Sequence, residues 1–190
     1  MDDAAAVRAC FNGYEQAILD QDGRKAVSFV DRATLEYYGR IRELALRADR
    51  SAVGALSTMD KLGVLMIRQC MSSESLERMT AEALFVHAVE EGWVSKESVA
   101  TNELGEIAVS GSRATVHVFE GKATPIQWVF RKEEDGRWRI DITAILPVAD
   151  QAFKHMVRQS GLPEDEFLTN ILESVSGREV ADTVWEPMTR

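Results

Sequence analysis

The sequence predicts an α+β protein, with helices in its first half, an antiparallel sheet near residues 98–146 and a helical tail. Three observations carry this reading. Up to residue 92, apolar residues recur at three- and four-residue steps, the spacing of one buried helix face. From Ser98, β-branched and aromatic residues alternate with polar ones between closely spaced turns, the pattern of short paired strands. Beyond Pro147 the helical spacing returns.

Asp2 or Asp3 caps a first helix reaching about Asp20, with Val7, Cys10, Phe11, Tyr14, Ala17 and Ile18 as its apolar stripe. Residues 24–30 read equally as a helical turn or a short strand. Asp31 reads as the N-cap of a second helix to about Asp49, carrying Leu35, Tyr38, Ile41, Ala45 and Ala48. A buried helix spans Met59 to Cys70. Ser72 or Ser73 opens another that runs to Gly92, and Glu74 and Glu77 in its first turn suit the positive end of the helix dipole.

Strands are expected near 98–109, 113–120, 125–133 and 137–146. The joints are Ser110-Gly111-Ser112, Glu120-Gly121-Lys122 and Glu133-Glu134-Asp135-Gly136. Asp135-Gly136 is a strong hairpin signal, because glycine accepts the positive φ of tight turns. Such short joints imply antiparallel pairing. A helix from Val148 to Gln159 follows, stopped by Gly161. A further helix opens at Pro163 and carries Phe167, Leu168, Ile171, Leu172 and Val175. Trp185 in the last segment implies that the tail packs on this domain or on a second subunit. With no repeat or linker visible, the chain reads as one domain, 1–190: helices about 3–92, sheet about 98–146, tail about 148–186.

Composition narrows the function classes. The formal net charge is −9 and no basic run occurs, which argues against nucleic acid as a partner. The arginines at 40, 42, 47 and 50 alternate with Glu36, Glu43 and Asp49 and read as a solvated helix face. No apolar stretch approaches the roughly 18–20 residues of a membrane span, and the acidic N-terminus lacks the layout of a signal peptide. Cys10 and Cys70 lie far apart in apolar helical patterns and read as buried thiols in a reducing compartment, which places the protein in the cytoplasm. A glycine-rich phosphate loop, His-Glu-x-x-His, Cys-x-x-Cys and Gly-x-Ser-x-Gly are all absent, so the sequence specifies no reaction and implies no cofactor or metal.

Val129-Phe130-Arg131-Lys132, the charged turn ending at Gly136, and Trp138-Arg139-Ile140-Asp141 together form an apolar strand, a hairpin and a Trp-Arg-Ile strand. This phrase, with Ser112-Arg113-Ala114-Thr115-Val116 upstream, resembles the nuclear transport factor 2-like (ketosteroid isomerase-like, cystatin-like) superfamily. The resemblance covers residues 98–146, and residues 3–50 only through helix placement. It implies N-terminal helices packed on a curved antiparallel sheet, a cone-like roll with an interior pocket, here with a helical extension at its C-terminus. Relatives use that pocket for isomerase or dehydratase chemistry, or use the scaffold to bind a partner or dimerise.

The chemical candidates are few. His87 and Glu91 share a helix face, but a metal needs further ligands, and the pair reads as helix surface. His155, near Lys154 and Arg158, reads as solvent-exposed. Strand alternation places His117, Gln127, Arg139 and Asp141 on one face if the polar sets coincide. An imidazole beside a carboxylate gains basicity and could move a proton, so His117 and Asp141 are the candidate catalytic pair. The preferred alternative turns Trp128, Phe130, Trp138, Ile140 and Ile142 toward the helices and leaves the polar set outside. Tyr14, Tyr38, Trp128, Phe130 and Trp138 are the expected pocket or core lining. The leading expectation is a homodimeric domain that holds a small apolar ligand. An acid–base enzyme using His117 or Asp141 and a protein-interaction module using the sheet face or the tail are the alternatives.

Overall fold

The computed structural model describes residues 2–94, 96, 99, 102–120 and 126–189, which form nine α-helices and four strands. The predicted joint at Glu120-Gly121-Lys122 and the predicted start of the first strand lie largely outside the described residues. The chain divides into two units, Met1–Tyr38 with Ala81–Ile145, and Gly39–Thr80 with Leu146–Arg190.

The first unit holds α1 (Asp3–Leu19), α2 (Gly23–Ala26), the start of α3 (Arg32–Arg47), α7 (Ala81–Glu90) and the sheet: β1 (Asn102–Ser110), β2 (Arg113–Glu120), β3 (Ile126–Lys132) and β4 (Trp138–Asp141). Asp2 caps α1 and Asp22 caps α2, each side chain accepting from a first-turn N–H. Gly23 allows α2 to meet α7 closely, since a Cβ there would lie 2.3 Å from the Val86 carbonyl oxygen.

The strands pair antiparallel in the order β1-β2-β3-β4, with one register shift between Leu104 and Ile107. Period-two alternation buries Ala114, Val116 and Val118 and leaves Arg113, His117 and Phe119 exposed. The buried face carries Trp128, Phe130, Trp138 and Ile140 against the Val7, Cys10, Phe11 and Tyr14 stripe of α1. Phe11 and Tyr14 meet Trp128 edge-on, with ring centroids 5.2 Å and 6.2 Å apart. The β3–β4 hairpin turns at Gly136, whose φ of +77° lies in the region that favours glycine.

This sheet corrects the cone expected from the family resemblance. It is an open four-stranded ladder, neither curled nor closed, so the cone-like roll and with it the nuclear transport factor 2-like and cystatin-like assignment do not hold. Closure needs long, staggered strands that carry pairing around the sheet. Here β4 is four residues long, and Ile142–Ala144 turns into a 3-10 helix where the sequence predicted strand to 146. Beyond β4 only a single parallel bridge, Val30 to Ile140, continues the pairing among the described residues. What stands is an α+β arrangement with helices before and after an antiparallel sheet.

The second unit takes the end of α3, α4 (Arg50–Gly54), α5 (Thr58–Cys70), α6 (Ser73–Arg78), α8 (Leu146–Ser160), α9 (Glu164–Ser176) and a 3-10 turn at Asp182–Trp185. Side chains of Asp49, Ser57 and Ser72 cap α4, α5 and α6. The helix expected from Ser72 to Gly92 is broken: Met79 is extended, and the two halves belong to different units. No helix of the described residues is long and apolar enough to cross a membrane.

Candidate functional site

A polar cluster of the first unit lies where α3 begins beside β4. Asp31 caps α3 through one oxygen, which accepts from the Thr34 N–H at 2.9 Å and the Thr34 hydroxyl at 2.8 Å. The Asp31 N–H donates to the Ile140 carbonyl at 2.9 Å, and the Ile142 N–H donates to Thr34 Oγ1 at 3.0 Å. The start of α3 is thus stitched to the end of β4. Asp141 accepts from Arg131 Nε at 3.1 Å and from the Thr143 hydroxyl at 2.5 Å. Arg131 Nε also lies 3.7 Å from Asp31 Oδ2.

Two buried carboxylates therefore share one half-exposed guanidinium. Burial pushes the Asp31 carboxyl above its usual range, and the Asp141 charge adds to this, against the Thr34 hydrogen bonds and Arg131. A general acid or base must reach a substrate proton. Asp31 and Asp141 line none of the grooves of this unit described below, and both Asp141 oxygens are occupied by Arg131 and Thr143. The cluster joins helix to sheet.

His117 is not part of it. It pairs across the sheet with Gln127, both exposed, whereas Asp141 pairs with Val129, and Val129 with Thr115. Two strands and two residues separate His117 from Asp141, about 12 Å at sheet spacing. Arg139 turns instead to Asp135, making two hydrogen bonds of 3.0 Å and 2.6 Å. Those bonds, with the Arg137 N–H, hold the Asp135 carboxyl well below the usual carboxylate range. Tyr14, Trp128, Phe130 and Trp138 are buried in the core, and Tyr38 packs against it, edge-on to Phe85 at 5.0 Å. Burial raises both phenols, Tyr38 to about 12. Sequence reasoning named Asp31 only as a cap and Arg131 only as part of the hairpin phrase. Nothing local signals their meeting, because it depends on how α3 is placed against β4.

Two open grooves flank this region. One, of about 610 Å³, has a floor of Val27, Val30 and Leu35 and a charged rim that includes Arg24, Glu82 and Glu134. The other, of about 530 Å³, runs past Cys10, Phe29 and Trp138. At its edge Asp3 accepts from Lys132 Nζ at 2.8 Å and from Trp138 Nε1 at 2.9 Å, which hold its carboxyl low. The Cys10 thiol donates to the Phe29 carbonyl, and burial pushes it up to about 12. No cluster of three or more metal-ligating side chains occurs among the described residues.

In the second unit the notable surface is α8. This amphipathic 15-residue helix has no fully buried residue. At 100° per residue its apolar positions span an arc of roughly 180°. The half bearing Ala149, Phe153 and Val157 is partly covered; the half bearing Val148, Ala152 and Met156 is exposed. The helix is anchored by Asp150, which accepts the Met59 N–H at 3.2 Å at the start of α5 and pairs with Lys154 at 2.7 Å.

Comparison of the chain with known protein families, with curated proteins and with solved structures yields no match.

Proposed function

We propose that this protein acts by association rather than by catalysis, pairing with a second copy through the exposed flank of α8. The observation that carries the reading is the Val148, Ala152 and Met156 stripe, with Val148 and Met156 each about half exposed on a helix whose other apolar half is partly covered. A two-fold interface requires a self-complementary patch. An antiparallel pair centred on Ala152 sets Val148 of one copy against Met156 of the other, and the small central alanines permit close approach. Opposed helix dipoles favour the same arrangement. A single helix pair of this length belongs to the small, transient class of interfaces under about 1,200 Å², so dissociation in the roughly 10–100 µM range is expected. His117 and Asp141, the pair that an acid–base reading would use, line neither of the two grooves described above.

Sedimentation velocity across a concentration series tests it. The wild type should pass from a 21.2 kDa species to its dimer, and Ala152→Glu should remain monomeric with an unchanged circular dichroism spectrum. A wild type that stays monomeric to about 1 mM refutes the proposal. A second reading has the groove over Val27, Val30 and Leu35 in its favour: a small ligand with an apolar body and polar ends would match its floor and rim. We place the protein in the cytoplasm, supported by Cys10 and Cys70, which no disulfide joins.

A further inference from the structure

The segment after α9 lies in the second unit as a peptide lies in a binding groove. Gly177 ends α9 in the left-handed region at φ +64°. The following residues make a single 3-10 turn, Asp182–Trp185, with little internal bonding. Thr189 donates its N–H and hydroxyl to the Leu46 carbonyl, and the Val180 N–H donates to Glu173; further ties come from side chains of α4 and α5. Arg50 donates to the Asp182 carbonyl at 3.1 Å and pairs with the carboxylates of Asp182 at 2.6 Å and Glu186 at 3.1 Å. Arg68 donates to the Val184 carbonyl at 3.3 Å, and Gln69 to the Glu179 carbonyl at 3.3 Å. Backbone carbonyls are read at Glu179, Asp182 and Val184, charge at Asp182 and Glu186, and an apolar payload at Val184 and Trp185, each only 7% exposed.

One of the reading residues is itself fixed from outside the tail. Arg68 also donates to the Ala45, Leu44 and Ala48 carbonyls, so the C-terminal turn of α3 holds its guanidinium in place whether or not the tail is present. The tail does not fill the groove: a gap of about 150 Å³ remains between Arg68 and Gln69 on one side and Thr183, Pro187 and Met188 on the other. The two carboxylates facing Arg50 are on exposed side chains, 85% and 51%. This ion-pair latch is of the screened, weak kind.

We infer that this groove is a peptide-reading site occupied in cis by residues 178–189, and that it takes in their place a segment of a second polypeptide with the same chemistry, a tryptophan flanked by acidic residues. Main-chain carbonyls supply affinity that any segment able to adopt the same turn can meet. The tryptophan pocket and the Arg50 charge supply specificity. The cis tail, tethered at Gly177, competes at high effective concentration, so the site is masked until the tail is displaced.

The test uses the full chain and a fluorescein-labelled synthetic peptide of residues 178–189, followed by anisotropy. Trp185→Ala in the chain removes the anchor of the cis tail and should bind the probe at least tenfold more tightly than the wild type does. Adding Arg50→Glu should cancel that gain, and a probe whose own tryptophan is replaced by alanine should not bind. If Trp185→Ala unfolds the chain by circular dichroism, the double variant Asp182→Lys and Glu186→Lys replaces it, because it loosens the latch without touching a buried side chain. A folded variant of either kind that binds the probe no better than wild type overturns the inference. So does unfolding of both, since a segment that cannot be loosened is core and not an occupant.

Discussion

Replacing Arg131 by methionine keeps most of the side-chain stem and removes the charge that two buried carboxylates share, together with the N–H that Asp141 accepts from. The guanidinium nitrogen lies 3.1 Å from Asp141 and 3.7 Å from Asp31, whose side chains are 5% and 1% exposed. At an effective dielectric near 20, a pair at such distances is worth about 4 kcal/mol before screening. Arg131 is half exposed, which weakens both pairs substantially, so we expect a net loss of about 2 kcal/mol at neutral pH. The loss should depend on pH in one direction. Asp31 already binds its proton more tightly in the folded chain than its ordinary value of 3.8, and without the cation it should do so more strongly. A carboxyl raised on folding is a penalty that is full above its folded pKa and fades as the pH falls toward the unfolded value. The variant should therefore regain most of the lost stability near pH 4. Urea unfolding at pH 7 and near pH 4, followed by tryptophan fluorescence, measures both numbers. A variant as stable as the wild type at pH 7, or one with an equal loss at both pH values, would refute the shared-cation argument.

Gly23→Ala should cost about 1–3 kcal/mol by overpacking, because its Cβ would meet the Val86 backbone and not a movable side chain; thermal unfolding reads this directly. In a Cys70→Ser background, Cys10 should resist a thiol-specific reagent at pH 8 in the folded state and react once urea is added, since burial raises it to about 12. Fast reaction of the native protein would show that the α1 core opens readily. Asp150→Ala removes the acceptor for the Met59 N–H and the partner of Lys154. It should cost about 1 kcal/mol, measured as a lower urea midpoint with an unchanged slope.

The elements were largely legible in the sequence, because each depends on neighbours in the chain. Strands expected at 113–120 and 125–133 are found at 113–120 and 126–132, and the α1 stripe from Val7 to Ile18 is the stripe that is buried. Long-range events were not legible. Leu76, Met79 and Ala83 keep helical spacing straight through the break at Met79, because periodicity records which residues are apolar and not where two units part. The alternation of β4 continues past Asp141, yet the strand stops there: the Ile142 N–H is taken by the Thr34 hydroxyl, a partner the local pattern cannot name. Arg131 and Asp141 belong to one hairpin phrase, but Asp31 reaches them from another element.

The same distinction explains why the family resemblance failed. Each residue of its phrase meets a need of the hairpin itself. Gly136 supplies a positive φ for the turn, and Asp135 accepts from the Arg137 N–H and binds Arg139. Trp138 covers the core edge while its Nε1–H donates to Asp3, and Ile140 is buried in the core across the ladder from Phe130, with its backbone tied to Val30 and Asp31. Any two-stranded corner of an α+β sheet with these neighbours selects such residues. A cone, by contrast, is decided at the edges, by how far β4 extends and what pairs beyond it. Here β4 ends after four residues, with a single bridge among the described residues, to Val30, on its outer side. A motif confined to one hairpin therefore transfers the hairpin. Architecture, and any pocket that depends on it, must be argued from the strand that closes the sheet or leaves it open.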